Sequence, residues 1–117
     1  TNKLSAYISE LENNVRLLGI IDLIFAKASL GFKLKAITPK INNIGKINLI
    51  KARHPLLNKD TVVPISLSVG DNYKMLVITG PNTGGKTVTL KTIGLFSLMA
   101  QATVQIQCSR SSFRLYP

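Results

Sequence analysis

Hydrophobic residues recur at alternating steps of four and three along the N-terminal part of the chain, which is the spacing of one face of a helix. The pattern predicts a helix over residues 3–29, and Gly31 provides a C-terminal stop signal just after it. The positions on this seam are Leu4, Ile8, Leu11, Val15, Leu18, Asp22 and Phe25. A coiled-coil-like helix with one acidic interruption is therefore expected.

The hydrophobic pattern then changes from helical to extended. Residues 32–46 contain scattered lysines with proline, asparagine and glycine, which predicts an irregular connector with one short strand near residues 34–37. Residues 47–52 alternate enough to form a strand, and residues 62–69 are a second extended segment. Pro64 places that second segment at a sheet edge, because proline cannot donate to a ladder.

The next two segments predict the centre of an α/β fold. Residues 75–79 are almost wholly apolar, as in a strand that is buried on both faces of a parallel sheet. Residues 86–102 are apolar on most sides, which predicts a helix that packs against that sheet. Gly94 lies inside the helix and costs about 1 kcal/mol relative to alanine, so we expect close backbone contact there.

A phosphate-binding motif lies between this strand and this helix. The sequence Gly80, Pro81, Asn82, Thr83, Gly84, Gly85, Lys86, Thr87 fits G-x-x-x-x-G-K-[ST] at every fixed position. Glycines let successive backbone N–H groups face phosphate oxygens, and the helix N-terminus adds positive charge. We predict that Lys86 is the catalytic residue, facing the β and γ phosphates, and that Thr87 is a ligand of Mg²⁺. A plain glycine-rich turn would explain the glycines but not Lys86 and Thr87 at these positions.

The charge distribution limits the chemistry of the chain. The 117 residues include 15 Lys and Arg but five Asp and Glu, for a net charge of +10. All five acids precede residue 72, so a reaction that needs a later metal-binding or general-base carboxylate has none. The lone Cys108 excludes an internal disulfide framework. No run approaches the roughly 18 apolar residues of a membrane span, so we expect a cytoplasmic protein with no membrane partner.

Several other residues have two interpretations. His54 either contacts a nucleotide or makes structural hydrogen bonds. Val62 and Val63 either flank an adenine base or belong to the core. Four lysines either follow a nucleic-acid backbone or are solvated; these are Lys33, Lys35, Lys40 and Lys46.

These segments together resemble the MutS family of ATPases. The loop at residues 80–87, in its Thr-Gly-Gly-Lys-Thr form, is similar to that of the second bacterial branch, which is associated with recombination control. Residues 51–56 resemble the Arg-His-Pro entry to the ATPase domain. Residues 62–64 resemble the loop beside the adenine, and residues 88–101 the helix after the phosphate loop. The helix at residues 3–29 is similar to the end of the lever that joins the DNA clamp to the ATPase.

The resemblance covers residues 1–102 and divides the chain into four parts. Residues 1–31 correspond to the end of the lever, residues 32–46 to a connector and residues 47–102 to the first part of a P-loop ATPase domain. After residue 102 the family continues with a glycine, a short strand and the acidic Walker B segment. Residues 103–117 carry no acid and form an apparently divergent tail, so we expect a truncated, frame-shifted or fragmentary chain.

The resemblance implies an incomplete α/β P-loop domain that binds ATP and Mg²⁺. The parent would be a homodimeric ATPase that binds mismatched or branched DNA and controls recombination, with a nuclease module and an association with ribosomes. Without Walker B we expect this chain to bind ATP but not to hydrolyse it. Two alternatives are a basic fragment that binds nucleic acid or ribosomes and an inert remnant.

Overall fold

Two helices and a four-stranded sheet make up the part of the protein that the computed structural model describes, residues 7–81 and 85–114. The elements are α1 (Ile8–Leu34), β1 (Lys40–Asn42), β2 (Ile47–Ala52), β3 (Ile65–Val69), α2 (Lys86–Gln101) and β4 (Arg110–Arg114). The strand order is β1-β4-β2-β3. β4 runs parallel to β1 and antiparallel to β2, and β3 is antiparallel to β2. The described residues therefore form a mixed sheet with helices.

The core lies between α2 and the sheet. Apolar side chains from α2, β2 and β4 meet side chains from the segment that joins α2 to β4. Its buried members are Leu49, Ala52, Phe96, Ala100, Ile106, Cys108 and Phe113. Burial of these side chains holds α2 against the sheet, since each large apolar side chain contributes about 1.5–3 kcal/mol when it is removed from water.

α1 extends past the predicted stop at Gly31, so that part of the prediction was wrong. Gly31 is buried inside the helix, and a Cβ placed on it would lie 1.7 Å from Oε1 of Gln105. The glycine permits this close approach instead of ending the helix. The helix ends at Leu34, and the C-cap Lys35 has a left-handed φ of 50° and an N–H that donates to the Phe32 carbonyl at 3.1 Å.

Most of α1 is exposed to solvent. The helix has 27 residues and is about 40 Å long, but Gly31 and Leu34 are its buried residues. Val15 and Phe25 of the predicted seam are 69% and 70% exposed. Leu4 lies outside the described residues. Within residues 7–81 and 85–114, neither helix is long and apolar enough to cross a bilayer.

The strand predicted at residues 47–52 is confirmed, and the extended segment predicted at residues 62–69 forms a strand over its last five residues. β2 has the predicted bounds, and β3 begins immediately after Pro64 at a sheet edge. The short strand expected near residues 34–37 is displaced: Ile37 makes an isolated bridge with Ile106, and β1 follows at Lys40.

The predicted buried strand at residues 75–79 is not formed, which corrects the sequence interpretation. None of its five residues is in a strand, and Met75 and Val77 are 78% and 73% exposed. An apolar run becomes a buried strand when neighbouring strands pair with both of its edges. Within residues 7–81 and 85–114 no strand lies beside it; an open cleft of about 550 Å³ separates it from β3.

α2 confirms the predicted helix but not the role expected for Gly94. Thr92, Phe96 and Ala100 are the residues that α2 buries. Gly94 is exposed, and a Cβ placed on it would have no heavy atom within 4 Å. The expected close backbone contact at Gly94 is therefore wrong.

After α2 the chain turns sharply and enters a further strand. Thr103 has a φ of 55°, a left-handed conformation that glycine adopts more easily than threonine. A short strand, β4, then follows between β1 and β2. Residues 115–117 lie outside the described part of the chain.

Candidate functional site

The N-cap residue of α2 has a left-handed backbone conformation, which only glycine adopts easily. Gly85 is the N-cap, with φ 75° and ψ 7°, and its carbonyl accepts the Thr89 N–H at 2.9 Å. No side chain caps this end, and the first turn contains no acidic residue. The N–H groups of a first helical turn have no partner within the helix, and they carry the positive end of its dipole. This end of α2 is therefore suited to an anion.

The side chain of Lys86 reaches back to Gly80, the first residue of the predicted phosphate loop. Its ammonium Nζ donates to the carbonyl of Gly80, which has a φ of 143°. Pro81 and Thr87 are exposed, with Thr87 in the first turn of α2. The predicted ligands Asn82, Thr83 and Gly84 lie outside the described residues. The ammonium group of Lys86 thus links Gly80 to the start of α2.

A cleft of about 580 Å³ adjoins the start of α2. Its walls come from the loop between β2 and β3 and from the first turn of α2. The lining residues are Leu57, Asn58, Thr61, Val62, Val63, Ile65, Gly85, Val88 and Thr89. Val62 and Val63, predicted to flank a base, therefore share one cleft with the last glycine of the phosphate motif. The sequence does not predict that Leu57, Asn58 and Thr61 line the cleft, because residues of these kinds occur in many loops that bind no nucleotide.

Hydrogen bonds fix the loop that carries the two valines. The carbonyl of Asn58 accepts the N–H groups of Thr61 at 3.3 Å and Val62 at 2.9 Å. The carbonyl of Val62 accepts a hydrogen bond from Nη1 of Arg53 at 2.8 Å. The sequence predicts no such role for Arg53 beyond its place in the Arg-His-Pro segment, because its contact with a residue nine positions later depends on the tertiary fold.

His54 lies in a turn instead of lining the cleft. Its Nδ1 accepts the Leu56 N–H at 3.3 Å, and its carbonyl accepts the Leu57 N–H at 3.2 Å. These bonds correspond to the structural interpretation of His54. Contact between His54 and a nucleotide stays a prediction.

Two of the four lysines with two interpretations, Lys33 and Lys46, make polar contacts in the structure. Lys46 forms an ion pair with Asp71 at the turn before residues 75–79. The Lys33 carbonyl, in the last turn of α1, accepts a hydrogen bond from Lys59 Nζ at 2.8 Å. Lys35 and Lys40 are exposed. None of the four lysines is among the residues that line the cleft.

Thr87 is the one residue predicted to bind a metal ion, and the described residues provide no cluster of further ligands. Among the described residues, no group of three His, Cys, Asp or Glu side chains could hold a metal ion. Magnesium keeps several waters and is commonly held by one or two protein oxygens together with substrate phosphates. The exposed hydroxyl of Thr87, beside an uncapped helix N-terminus, fits an ion that arrives with a triphosphate.

The same donors fit the triphosphate itself. A left-handed glycine at an uncapped helix start, a nearby ammonium group and an adjoining cleft with an apolar wall match a polyanion joined to a flat base.

Comparison with known proteins finds relatives that share one name. No protein-family model matches the chain. A protein named Endonuclease MutS2 from Acetivibrio thermocellus is 48% identical over 112 residues, which is 96% of this chain and 14% of that protein. The chain is similar to a segment of Endonuclease MutS2. Proteins of the same name from Listeria monocytogenes serotype 4a and Brevibacillus brevis are 50% and 47% identical over 109 and 112 residues, or 93% and 96% of this chain.

The chain spans 14% of the length of each of these Endonuclease MutS2 relatives. The 112 matched residues exceed the 102 residues on which the resemblance was recognised. The similarity therefore extends into residues 103–117, where β4 lies.

Proposed function

We propose that this chain is the nucleotide-binding part of a MutS-family ATPase, with a P-loop at residues 80–87 that binds Mg²⁺-ATP. The observation that carries the proposal is the cleft that joins Gly85 at the start of α2 to Val62 and Val63. The start of α2, at one end of the cleft, suits a phosphate chain. The Val62–Val63 wall, at the other end, suits the flat face of a base. The similarity to Endonuclease MutS2 over almost the whole chain supports the same assignment.

Each part of the site has a distinct role in this proposal. The N–H groups of the first turn of α2 bind phosphate oxygens, and Gly85 allows the backbone to approach them. Lys86 exchanges its bond with the Gly80 carbonyl for the β and γ phosphates, which it neutralises. Thr87 supplies one oxygen to magnesium, and the bound ion offsets further phosphate charge. Val62 and Val63 contact the adenine.

Binding without turnover is the second part of the proposal. ATP hydrolysis needs a group that orients or activates water and carboxylates that hold the metal. The five acids are Glu10, Glu12, Asp22, Asp60 and Asp71, all before the phosphate loop, and none lines the cleft. ATP hydrolysis by the isolated chain that depends on Lys86 would refute this part.

The activity of a longer parent follows from the relatives only as a proposal. The relatives are named endonucleases, and we propose that the parent uses ATP binding to control its action on mismatched or branched DNA in recombination. The exposed seam of α1 is compatible with packing against further parts of such a protein. Dimerisation of the parent and association with ribosomes belong to the same proposal.

Equilibrium binding of Mg²⁺-ATP to three proteins tests the proposal. These are the unchanged chain, the Lys86→Ala variant and the Lys91→Ala variant, whose exposed lysine lies on the same helix and serves as a charge-matched control. Ionic strength is held fixed because a +10 chain attracts any polyanion. We expect saturable binding in the unchanged chain and in Lys91→Ala, and at least tenfold weaker binding in Lys86→Ala. Equal binding by all three, or none, would refute the proposal.

One observation favours a second candidate function. Residues 72–117 contain five basic and no acidic side chains, as in a surface that binds nucleic acid. RNA or DNA binding with a steep salt dependence, unchanged in Lys86→Ala, would favour this candidate.

A further inference from the structure

Arg53 connects the core of the protein to the wall of the cleft. It follows the last residue of β2, and its backbone N–H donates to the carbonyl of Gln107 at 3.0 Å. Its side chain donates from Nη1 to the Val62 carbonyl at 2.8 Å. The backbone of Arg53 is thus tied to the chain between α2 and β4, whereas its guanidinium is tied to the loop that lines the cleft.

This bond completes the hydrogen bonding of the Val62 backbone. The Val62 N–H donates to the Asn58 carbonyl at 2.9 Å, and its carbonyl accepts from Arg53. Both polar groups of the Val62 backbone are therefore engaged within the protein. Val62 offers the cleft an apolar side chain, and rotation of its peptide would break the bond to Arg53.

Val63 depends on the same anchor. It follows Val62 directly, lines the cleft and is 76% exposed. Pro64, the next residue, has a fixed φ and no N–H group. Few contacts hold an exposed valine in place, so its position depends on the chain on either side. The guanidinium of Arg53 fixes that chain from one side, and the start of β3 fixes it from the other.

We propose that Arg53 is a positioning residue for the base of the nucleotide: by holding the Val62 carbonyl, it keeps the Val62–Val63 wall in place at the cleft. This inference rests on the proposed function. It predicts a separation between the two ends of the ligand, because Arg53 acts on the base wall, whereas the phosphates are held at the start of α2.

Comparing ATP with inorganic tripolyphosphate, which lacks a base, tests the inference. Both are titrated with Mg²⁺ at fixed ionic strength into the unchanged chain, Arg53→Met and Arg53→Lys. Met keeps an apolar stem but removes the donor, whereas Lys retains a charged donor. The control is Arg16→Met, which makes the same charge change at an exposed position on α1.

In Arg53→Met we expect ATP to bind about tenfold more weakly, the order of effect expected for one charge-assisted hydrogen bond. Tripolyphosphate binding should stay unchanged, and Arg53→Lys should restore part of the ATP affinity. Arg16→Met should match the unchanged chain for both ligands. Hydrogen exchange of the Val62 amide gives a readout without ligand, and we expect faster exchange in Arg53→Met.

Three results would overturn the inference. Equal weakening of ATP and tripolyphosphate in Arg53→Met would show a general structural role. Unchanged ATP binding in Arg53→Met would show no role in positioning. If Arg53→Met does not fold, Arg53→Lys decides, and loss of tripolyphosphate binding there would also overturn it. Failure of the unchanged chain to bind either ligand would instead refute the proposed function on which the inference depends.

Discussion

Replacement of Lys27 by methionine should loosen the junction between the two helices. Lys27 lies on α1, and its Nζ donates to the carbonyl of Ala102 at 2.7 Å and to Oγ1 of Thr103 at 3.1 Å. Ala102 is the C-cap of α2, whose last turn contains no basic residue of its own. A cation at a helix C-terminus is typically worth about 0.3–1 kcal/mol. Methionine keeps most of the apolar stem but removes the charge and both hydrogen bonds.

The expected loss is about 1 kcal/mol of the free energy of unfolding, because the charge–dipole contribution adds to a hydrogen bond that solvent partly weakens. Urea denaturation followed by circular dichroism measures it. Lys91→Met, an exposed lysine on α2, makes the same change in charge and should stay within about 0.5 kcal/mol of the unchanged chain. If Lys27→Met loses no more stability than Lys91→Met, the contact does not fasten the helices and the reasoning is refuted.

Three further variants test other features by the same assay. Gly94→Ala should stabilise the protein by about 1 kcal/mol, since Gly94 is an exposed helical residue with open space beside it; destabilisation would mean that it makes an unseen close contact. Gly70→Ala should cost about 2 kcal/mol or more, because φ is +93° and an added Cβ would lie 2.3 Å from the Gly45 carbonyl oxygen. Burial raises the pKa of the Cys108 thiol above its ordinary 9.0, so its contribution is complete below pH 9 and is lost as pH rises through the folded pKa. Cys108→Ala should lack that alkaline decrease in stability, and an identical pH dependence in both proteins would contradict it.

The sequence predicts most accurately where local signals and packing agree. Ile47–Ala52 alternates apolar and polar residues and is followed by Pro55, so both the strand and its end follow from local chemistry. The helix from Lys86 is predicted by the density of apolar residues in one local segment, but of the large apolar residues only Phe96 is buried; Thr92 and Ala100 complete the buried face. The expectation that Val62 and Val63 lie beside a nucleotide comes from the resemblance and not from periodicity; the cleft that they share with Gly85 was visible only in the structure.

The structure differs from the sequence prediction where contacts between distant parts of the chain determine the conformation. Glycine at position 31 is typical of a helix C-terminus, but here it lies inside α1, where the absence of a side chain leaves room for Gln105. Residues 75–79 have the composition of a central strand, yet no strand among the described residues pairs with them. β4 has little β propensity in its Arg110, Ser111 and Ser112 positions, and it becomes a strand by pairing with β2 and β1.

The most direct test of nucleotide binding in the cleft is to locate bound ATP by amide chemical shifts. In a titration with Mg²⁺-ATP, we expect saturable shifts at both ends of the cleft, at Gly85–Val88 and at Val62–Val63. AMP, which has the base but lacks the triphosphate, should move the first group little. Shifts spread over scattered lysines such as Lys35 and Lys40, with none at Gly85–Val88, would mean that ATP binds only as a polyanion and that the cleft is not a nucleotide site.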